Sequence, residues 1–324
     1  MITRRQFIAA TGLSAAAAAW IPLAACSQGT PGSSESPATD AAQAEAASVG
    51  PLLMRKIPSS GQSVPVIGMG TSGTFEVGAS AAERDPLREV LARFLAAGAS
   101  VIDTAPTYGT AETTLGDLLA DSGARDRVFL ATKLSSVEGR QAGIAQFNQS
   151  LKRLRTDKIE LLQVHNLRDT DTQLAVAREL KQQGKVKYVG LTHYLDSAQI
   201  QLADAMRRLR PDFVQINYSP VSRGAERTIF PMAQDLGVAV MINRAFEDGK
   251  LFALVRDKPL PAWAHEVDAN SWAQLFLKFA ISSPAVTVVI PATSKPKNQT
   301  DNLRAGSGRL LDATQRDALV SALG

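Results

Sequence analysis

A single cysteine, Cys26, stands among the 324 residues, which excludes an intramolecular disulfide. The three histidines, His165, His193 and His265, are too scattered to offer metal-ligand spacing, so no metal is expected. Excess charge is scarce as well: 35 Lys and Arg against 31 Asp and Glu give a formal charge of +4, and loss of Arg4 and Arg5 with a leader leaves 33 against 31, or +2. No clustered basic face supports nucleic acid as a partner. No Gly-rich dinucleotide turn follows any strand-like run, which weighs against an open doubly wound sheet. Acidic side chains are missing from residues 1–25 altogether.

That last absence marks an address. Arg4-Arg5 precede an Ala-rich apolar stretch that stops at Leu23-Ala24-Ala25-Cys26, the plan of a secretory signal. Thr3-Arg-Arg-Gln-Phe-Ile8 is similar to the twin-arginine export consensus, and the segment ending in Cys26 resembles a bacterial lipobox. These resemblances imply a signal peptide over 1–25, a twin-arginine export machinery as partner, a lipidated Cys26 as the only membrane contact, and an exported, periplasmic or cell-surface location. An uncleaved anchor is the alternative, since Ile8–Ala25 supplies about 18 largely apolar residues. Residues 26–49, rich in Ser, Ala, Pro and Gly, are expected to form a disordered tether. Residues 50–324 are left for one globular domain, a length that an α/β barrel of about 250 residues fills alone.

From there, strands and helices alternate. Leu52–Ile57 with Val64–Thr71 reads as a hairpin-like lid and a first strand. Strands are then expected at Val101–Asp103, Val128–Lys133, Ile159–His165, Val186–Thr192, Phe213–Asn217, Val238–Asn243 and Thr287–Ile290. Helical spacing occupies Asp85–Ala97, Ala111–Ala120, Gln141–Leu154, Thr172–Gln183, Ala198–Leu209, Ala225–Leu236 and Ser271–Ile281. Eight nearly all-apolar strands, each separated by a helix, fit a closed parallel (β/α)8 TIM barrel of the α/β class. Chemistry in such a barrel collects at the strand C-terminal ends.

The stretch SVIDTAPTYGTAETTLGD, Ser100–Asp117, is strand, loop and helix, and it presents Asp103 and Tyr108 at such an end. A tyrosine acts as a general acid when a neighbouring ammonium lowers its pKa from about 10. Lys133 ends the next apolar run and His165 the one after. Asp103, Tyr108, Lys133 and His165, in that order on successive strands, resemble the catalytic tetrad of the aldo-keto reductases. The resemblance runs from about Pro65 to about Asn302. It implies reduction of an aldehyde or ketone, or the reverse oxidation, with Tyr108 as acid, Asp103 and Lys133 as its charged support, and His165 at the substrate carbonyl.

The same resemblance implies a nicotinamide cofactor, NADP with NAD as the alternative. It places Gly70 and Thr71 beside the nicotinamide, and the carboxamide near Thr192, His193 and Gln215. His193 stands where the family more often has Asn. Asn243-Arg244-Ala245-Phe246 replace an aromatic stacking residue, so Arg244 or Phe246 is expected to cover the cofactor. Thr293, Ser294 and Lys295 open a helix suited to phosphate. Asn302 matches the adenine contact, and Asn298 stands where many NADP-preferring members have Arg. Phe246–Asn270 is long enough for a lid, and Asp312–Leu323 for a short last helix. A small or medium carbonyl compound is the expected substrate. The rival reading is an exported, non-catalytic barrel used for binding or assembly.

Overall fold

The computed structural model describes residues 48–324; the expected signal, the lipidation site Cys26 and most of the expected tether lie outside the described residues. Two short strands, β1 (Met54–Lys56) and β2 (Ser63–Pro65), pair antiparallel. Then come the eight parallel strands of one sheet: β3 (Met69–Gly70), β4 (Val101–Asp103), β5 (Phe129–Leu134), β6 (Ile159–His165), β7 (Val186–Thr192), β8 (Phe213–Asn217), β9 (Ala239–Asn243) and β10 (Val286–Val289). They pair in chain order. Bridges from Ile67 to Val289 and from Gly70 to Ala292 join the first to the last, with Gly68 N–H donating to Val289 O at 2.8 Å and Val289 N–H to Val66 O at 2.9 Å. The result is a closed (β/α)8 TIM barrel.

Strand alternation sorts the side chains. Even-numbered Ile102, Leu130, Leu162, Val214 and Val240 pack outward under the helices, while Val101, Phe129, Leu161, Tyr188, Phe213, Ala239 and Val288 fill the interior. Every second residue shares a face. Further up these strands the interior turns polar, one inward step above the apolar floor at Asp103, Gln163 and Gln215 and two steps above it at Lys133 and Thr192, all buried. The barrel thus has an apolar floor and a hydrogen-bonding mouth.

The floor is sealed by the β1–β2 hairpin. Ile57 and Val64 enter the interior cluster, and the Tyr188 hydroxyl meets Ser60 Oγ at 2.7 Å and donates to Gln62 Oε1 at 2.9 Å. Arg55 reaches across to the end of the last core helix, Trp272–Ile281, where its guanidinium donates to the carbonyls of Ile281, Ser283 and Val286. A cation there completes orphan carbonyls and opposes the negative helix end.

Several element boundaries differ from those expected. Val64–Thr71 is not one strand. Pro65 cannot donate to a ladder, and a Cβ on Gly68 would stand 2.8 Å from Val101 O; the chain leaves the hairpin there, Val66–Gly68 meet Val289, and pairing with β4 begins only at Met69. The first helix starts at Ala81 rather than Asp85, running through Pro86, and the helix expected from Ala225 starts only at Ile229, after a 3-10 turn. The expected lid Phe246–Asn270 contains a helix, Lys250–Leu254, and a 3-10 turn, Ala262–Val267. The last helix is Ala313–Ser321, with Asp312 and Gln315 closing a capping box. Among the described residues no helix is long and apolar enough to cross a membrane.

Candidate active site

At the C-terminal mouth of the barrel lies a cavity of about 730 Å3. Asp103, Tyr108 and His165 line it, together with Gly70, Thr71, Thr192, Gln215, Asn243, Arg244 and Phe246. Lys133 stands behind them, 1% exposed. Its ammonium donates to Asp103 Oδ2 at 2.6 Å and to Thr104 O at 2.8 Å, and lies 5.0 Å from the centroid of the Tyr108 ring. The other carboxylate oxygen of Asp103 accepts from Gln163 and Gln215, each at 3.0 Å. Thr71 clamps the same strand end, donating through its N–H and hydroxyl to Asp103 O at 3.1 Å.

Tyr108 is delivered by a tight loop. Its N–H donates to Ala105 O at 3.1 Å, and its carbonyl accepts from Ala111 N–H at 2.8 Å as the next helix begins. Gly109 turns the chain at φ 45°, a conformation that costs glycine little. The ring meets His165 edge-on, centroids 6.0 Å apart.

Burial governs the protonation of the site. It pushes the Tyr108 phenol above its ordinary range, and the opposing pull of the Lys133 ammonium does not cancel that effect. The lysine was expected to lower this pKa; an enclosed phenol in a low-dielectric wall resists charge more than one neighbouring cation, itself neutralised by Asp103, favours it. Burial alone would lower the Lys133 pKa, but Asp103 and Tyr108 raise it above the usual lysine value. His165 is held down to about 3 by burial, then by the charges of Lys133 and His193. Near neutral pH the site therefore contains a phenol, an ammonium and a neutral imidazole.

Asn243 provides a test for the nicotinamide. Its Nδ2 donates to His193 O at 3.1 Å and Gln215 Oε1 at 3.2 Å, which fixes the amide and leaves buried Oδ1 without a donor among the described residues. A carboxamide N–H is the kind of group that would satisfy it. Thr192 Oγ1 donates to Gln215 Oε1 at 3.1 Å, so the expected carboxamide residues form one network. His193 is the exception. It is not part of the cavity wall; its Nδ1 accepts from the N–H groups of Tyr194 and Leu195 at 3.0 and 3.2 Å, and Tyr194 lines the wall instead. Arg244 packs over that tyrosine, 5.4 Å from its ring, and pairs with Asp248. Phe246 and Phe252 cover the same side, so only the first part of the expected lid reaches the cavity.

Ile290, Pro291 and Ala292 carry the wall to the rim. Thr293 follows, its hydroxyl accepting from Lys295 N–H at 3.1 Å, and the helix Pro296–Arg304 begins. Ser294, Lys295 and Asn298 are exposed there, whereas Asn302 is buried. Gln163 and Ser135 belong to the site although no motif marked them. Gln163 lies two residues before His165, and Ser135 two after Lys133, so strand parity was the available signal.

The chain matches the model of the aldo/keto reductase family over residues 66–323. It is 31% identical over 169 residues to the aldo-keto reductase YhdN of Bacillus subtilis (strain 168), covering 48% of this chain and 50% of that one. It is 34% identical over 209 residues to the aldo-keto reductase str7 of Strobilurus tenacellus, covering 59% and 60%. The matches thus span about half the length of these curated relatives. An aldo-keto reductase from Klebsiella pneumoniae, crystallised in complex with NADPH, superposes with a TM-score of 0.69 at 26% identity, over 83% of this chain and 94% of the other.

Proposed function

Because this chain belongs to the aldo/keto reductase family, we propose that it reduces an aldehyde or ketone to an alcohol, or catalyses the reverse oxidation. The observation that carries this reading is the buried Lys133–Asp103 pair behind Tyr108, with neutral His165 across the same cavity. A bound nicotinamide dinucleotide supplies hydride to the carbonyl carbon. Tyr108 gives its phenolic proton to the carbonyl oxygen. Lys133 stabilises the phenolate left behind, and its pairing with Asp103 keeps the ammonium charged in a buried position. His165 and Tyr108 hold the carbonyl oxygen between them.

NADP is the preferred nucleotide. The NADPH complex of the Klebsiella pneumoniae relative supports this, as do exposed Lys295 and Lys297 at the start of the helix Pro296–Arg304, where N–H groups and positive charge suit a phosphate. Thr293, Ser294, Lys295, Asn298 and Asn302 would hold the adenylate end; Thr192, Gln215 and Asn243 the carboxamide. Lys295→Ala is expected to raise the Kd of NADP about tenfold, with that of NAD unchanged.

Small or medium carbonyl compounds are the proposed substrates, and lipid-anchored export through Arg4-Arg5 and Cys26 the proposed location. Oxidation of NADPH by purified protein, followed at 340 nm against a panel of aldehydes and ketones, tests the activity. Turnover that disappears in Tyr108→Phe supports it. Lack of turnover with either nucleotide and every carbonyl would leave the barrel as a binding module.

A further inference from the structure

His165 faces the cavity with Nε2 free of any partner among the described residues, while its Nδ1 lies 2.7 Å from Ser135 Oγ. Ser135 is 1% exposed. It is also held rigidly. Its N–H donates to Gln146 Oε1 at 2.7 Å and its carbonyl accepts from Gln146 Nε2 at 2.8 Å. This glutamine, on the helix Arg140–Arg153, thereby closes on the backbone just past the end of β5 as a neighbouring strand would. The β5–β6 register pairs Leu134 with Val164, so the next residues along, Ser135 and His165, are cross-strand neighbours.

The direction of that hydrogen bond follows from what surrounds it. Among the described residues, Ser135 Oγ makes no other hydrogen bond. Were Nδ1 to carry the imidazole proton, the buried hydroxyl would accept it and its own hydrogen would have no acceptor. A buried donor left unmade is costly, and a hydroxyl rotates to avoid it. The arrangement that satisfies both groups has Ser135 donating to Nδ1, which puts the imidazole hydrogen on Nε2, towards the cavity.

We propose that Ser135 is a positioning residue that fixes the Nε2–H tautomer of His165, so that the neutral imidazole presents a donor, and not a lone pair, to the substrate oxygen. This rests on the carbonyl reductase reading above. A carbonyl oxygen, and the alkoxide that develops from it, accepts hydrogen bonds only. The opposite tautomer would place lone pair against lone pair. Ser135 thus acts through His165 without touching substrate, and Gln146 acts through Ser135.

Long-range 1H–15N correlation of the imidazoles at pH 7, with His165 assigned from its disappearance in His165→Gln, reads the tautomer directly. The expected wild-type pattern has protonated Nε2 and hydrogen-bonded, unprotonated Nδ1. In Ser135→Ala the pattern is expected to shift towards Nδ1–H or a mixture, and kcat for carbonyl reduction to fall about 10–100-fold, while nucleotide affinity stays within about twofold. Ser135→Thr, which keeps a γ-hydroxyl, restores both. A proton on Nδ1 in the wild type overturns the assignment, as does Ser135→Ala with tautomer and kcat unchanged. A wild-type Nε2–H pattern in a protein that turns over no carbonyl refutes the reductase reading and leaves the tautomer assignment standing.

Discussion

The carboxylate of Asp103 meets the ammonium of Lys133 at 2.6 Å where neither side chain is more than 3% exposed. Burying two charges in this way generally costs more solvation than the pair regains. Asp103 offsets part of that cost by accepting from Gln163 and Gln215 as well. The pair is thus a charged device kept in an expensive place, directly behind the Tyr108 phenol of the cavity wall.

Removing one partner tests the arrangement. Lys133→Met leaves Asp103 buried and uncompensated, and is expected to cost roughly 3–5 kcal/mol of stability. Denaturant melts of Lys133→Met, Asp103→Asn and the double variant check it: the double variant should lose less than the sum of the singles.

Tyr108→Phe removes the proton donor and little volume. Carbonyl reduction is expected to fall by about 10²–10⁴-fold, with nucleotide affinity nearly unchanged, since no hydrogen bond within the carboxamide network involves the phenol. Loss of nucleotide binding in fluorescence titrations would show that the role is misassigned.

The pH dependence has a worked sign. Burial holds the His165 pKa down to about 3 in the folded protein, against 6.5 for an ordinary histidine. Between those values the unfolded chain binds more protons, so stability falls as pH falls through 6.5 towards 3, by at most about 1.4 kcal/mol per pH unit. His165→Gln should remove that slope from urea titrations at a series of pH values. Carbonyl reduction should show no inflection from His165 between pH 5 and 8. With the Tyr108 phenol raised above its ordinary range, its loss as donor should appear only at strongly alkaline pH.

Gly190 carries no chemistry, yet a Cβ there would stand 2.9 Å from Gln163 Cγ and 3.2 Å from Phe213 O. Gly190→Ala is expected to push Gln163 away from Asp103 and to cost about 1–3 kcal/mol through overpacking. A thermal melt unchanged from wild type would show that the strand yields without strain.

Much of this was legible in the chain because a parallel strand repeats every two residues. Asp103, Lys133 and His165 end apolar runs, so the succession of strands and helices that implies the barrel also gathers these three at one mouth, and the family resemblance singles them out. Gln163 and Ser135 obey the same parity but were silent, since glutamine and serine end strands for many reasons and their partners are known only in space. The rise in the Tyr108 pKa was illegible because a sequence shows a lysine nearby in the fold but not how little water reaches the phenol. His193 stands off the cavity wall, which position along the strand could not show, because its ring is drawn back onto the N–H groups of the two following residues. The break at Pro65 and Gly68 was marked by residue type, but it takes the closeness of Val101 to explain it.

The clamp of Arg55 on a carbonyl 228 residues later, beside the seam where Val66 and Gly68 meet Val289, bears on how the molecule comes into being. A ring has no first stave. While the ribosome is still threading out the last quarter of the chain, the opening strand has no partner on one side and the floor has nothing to grip. Contacts this distant in sequence form late and together. The active-site mouth, whose wall runs from Gly70 round to Ala292, is therefore a product of the finished chain, and no nascent fragment owns a part of it.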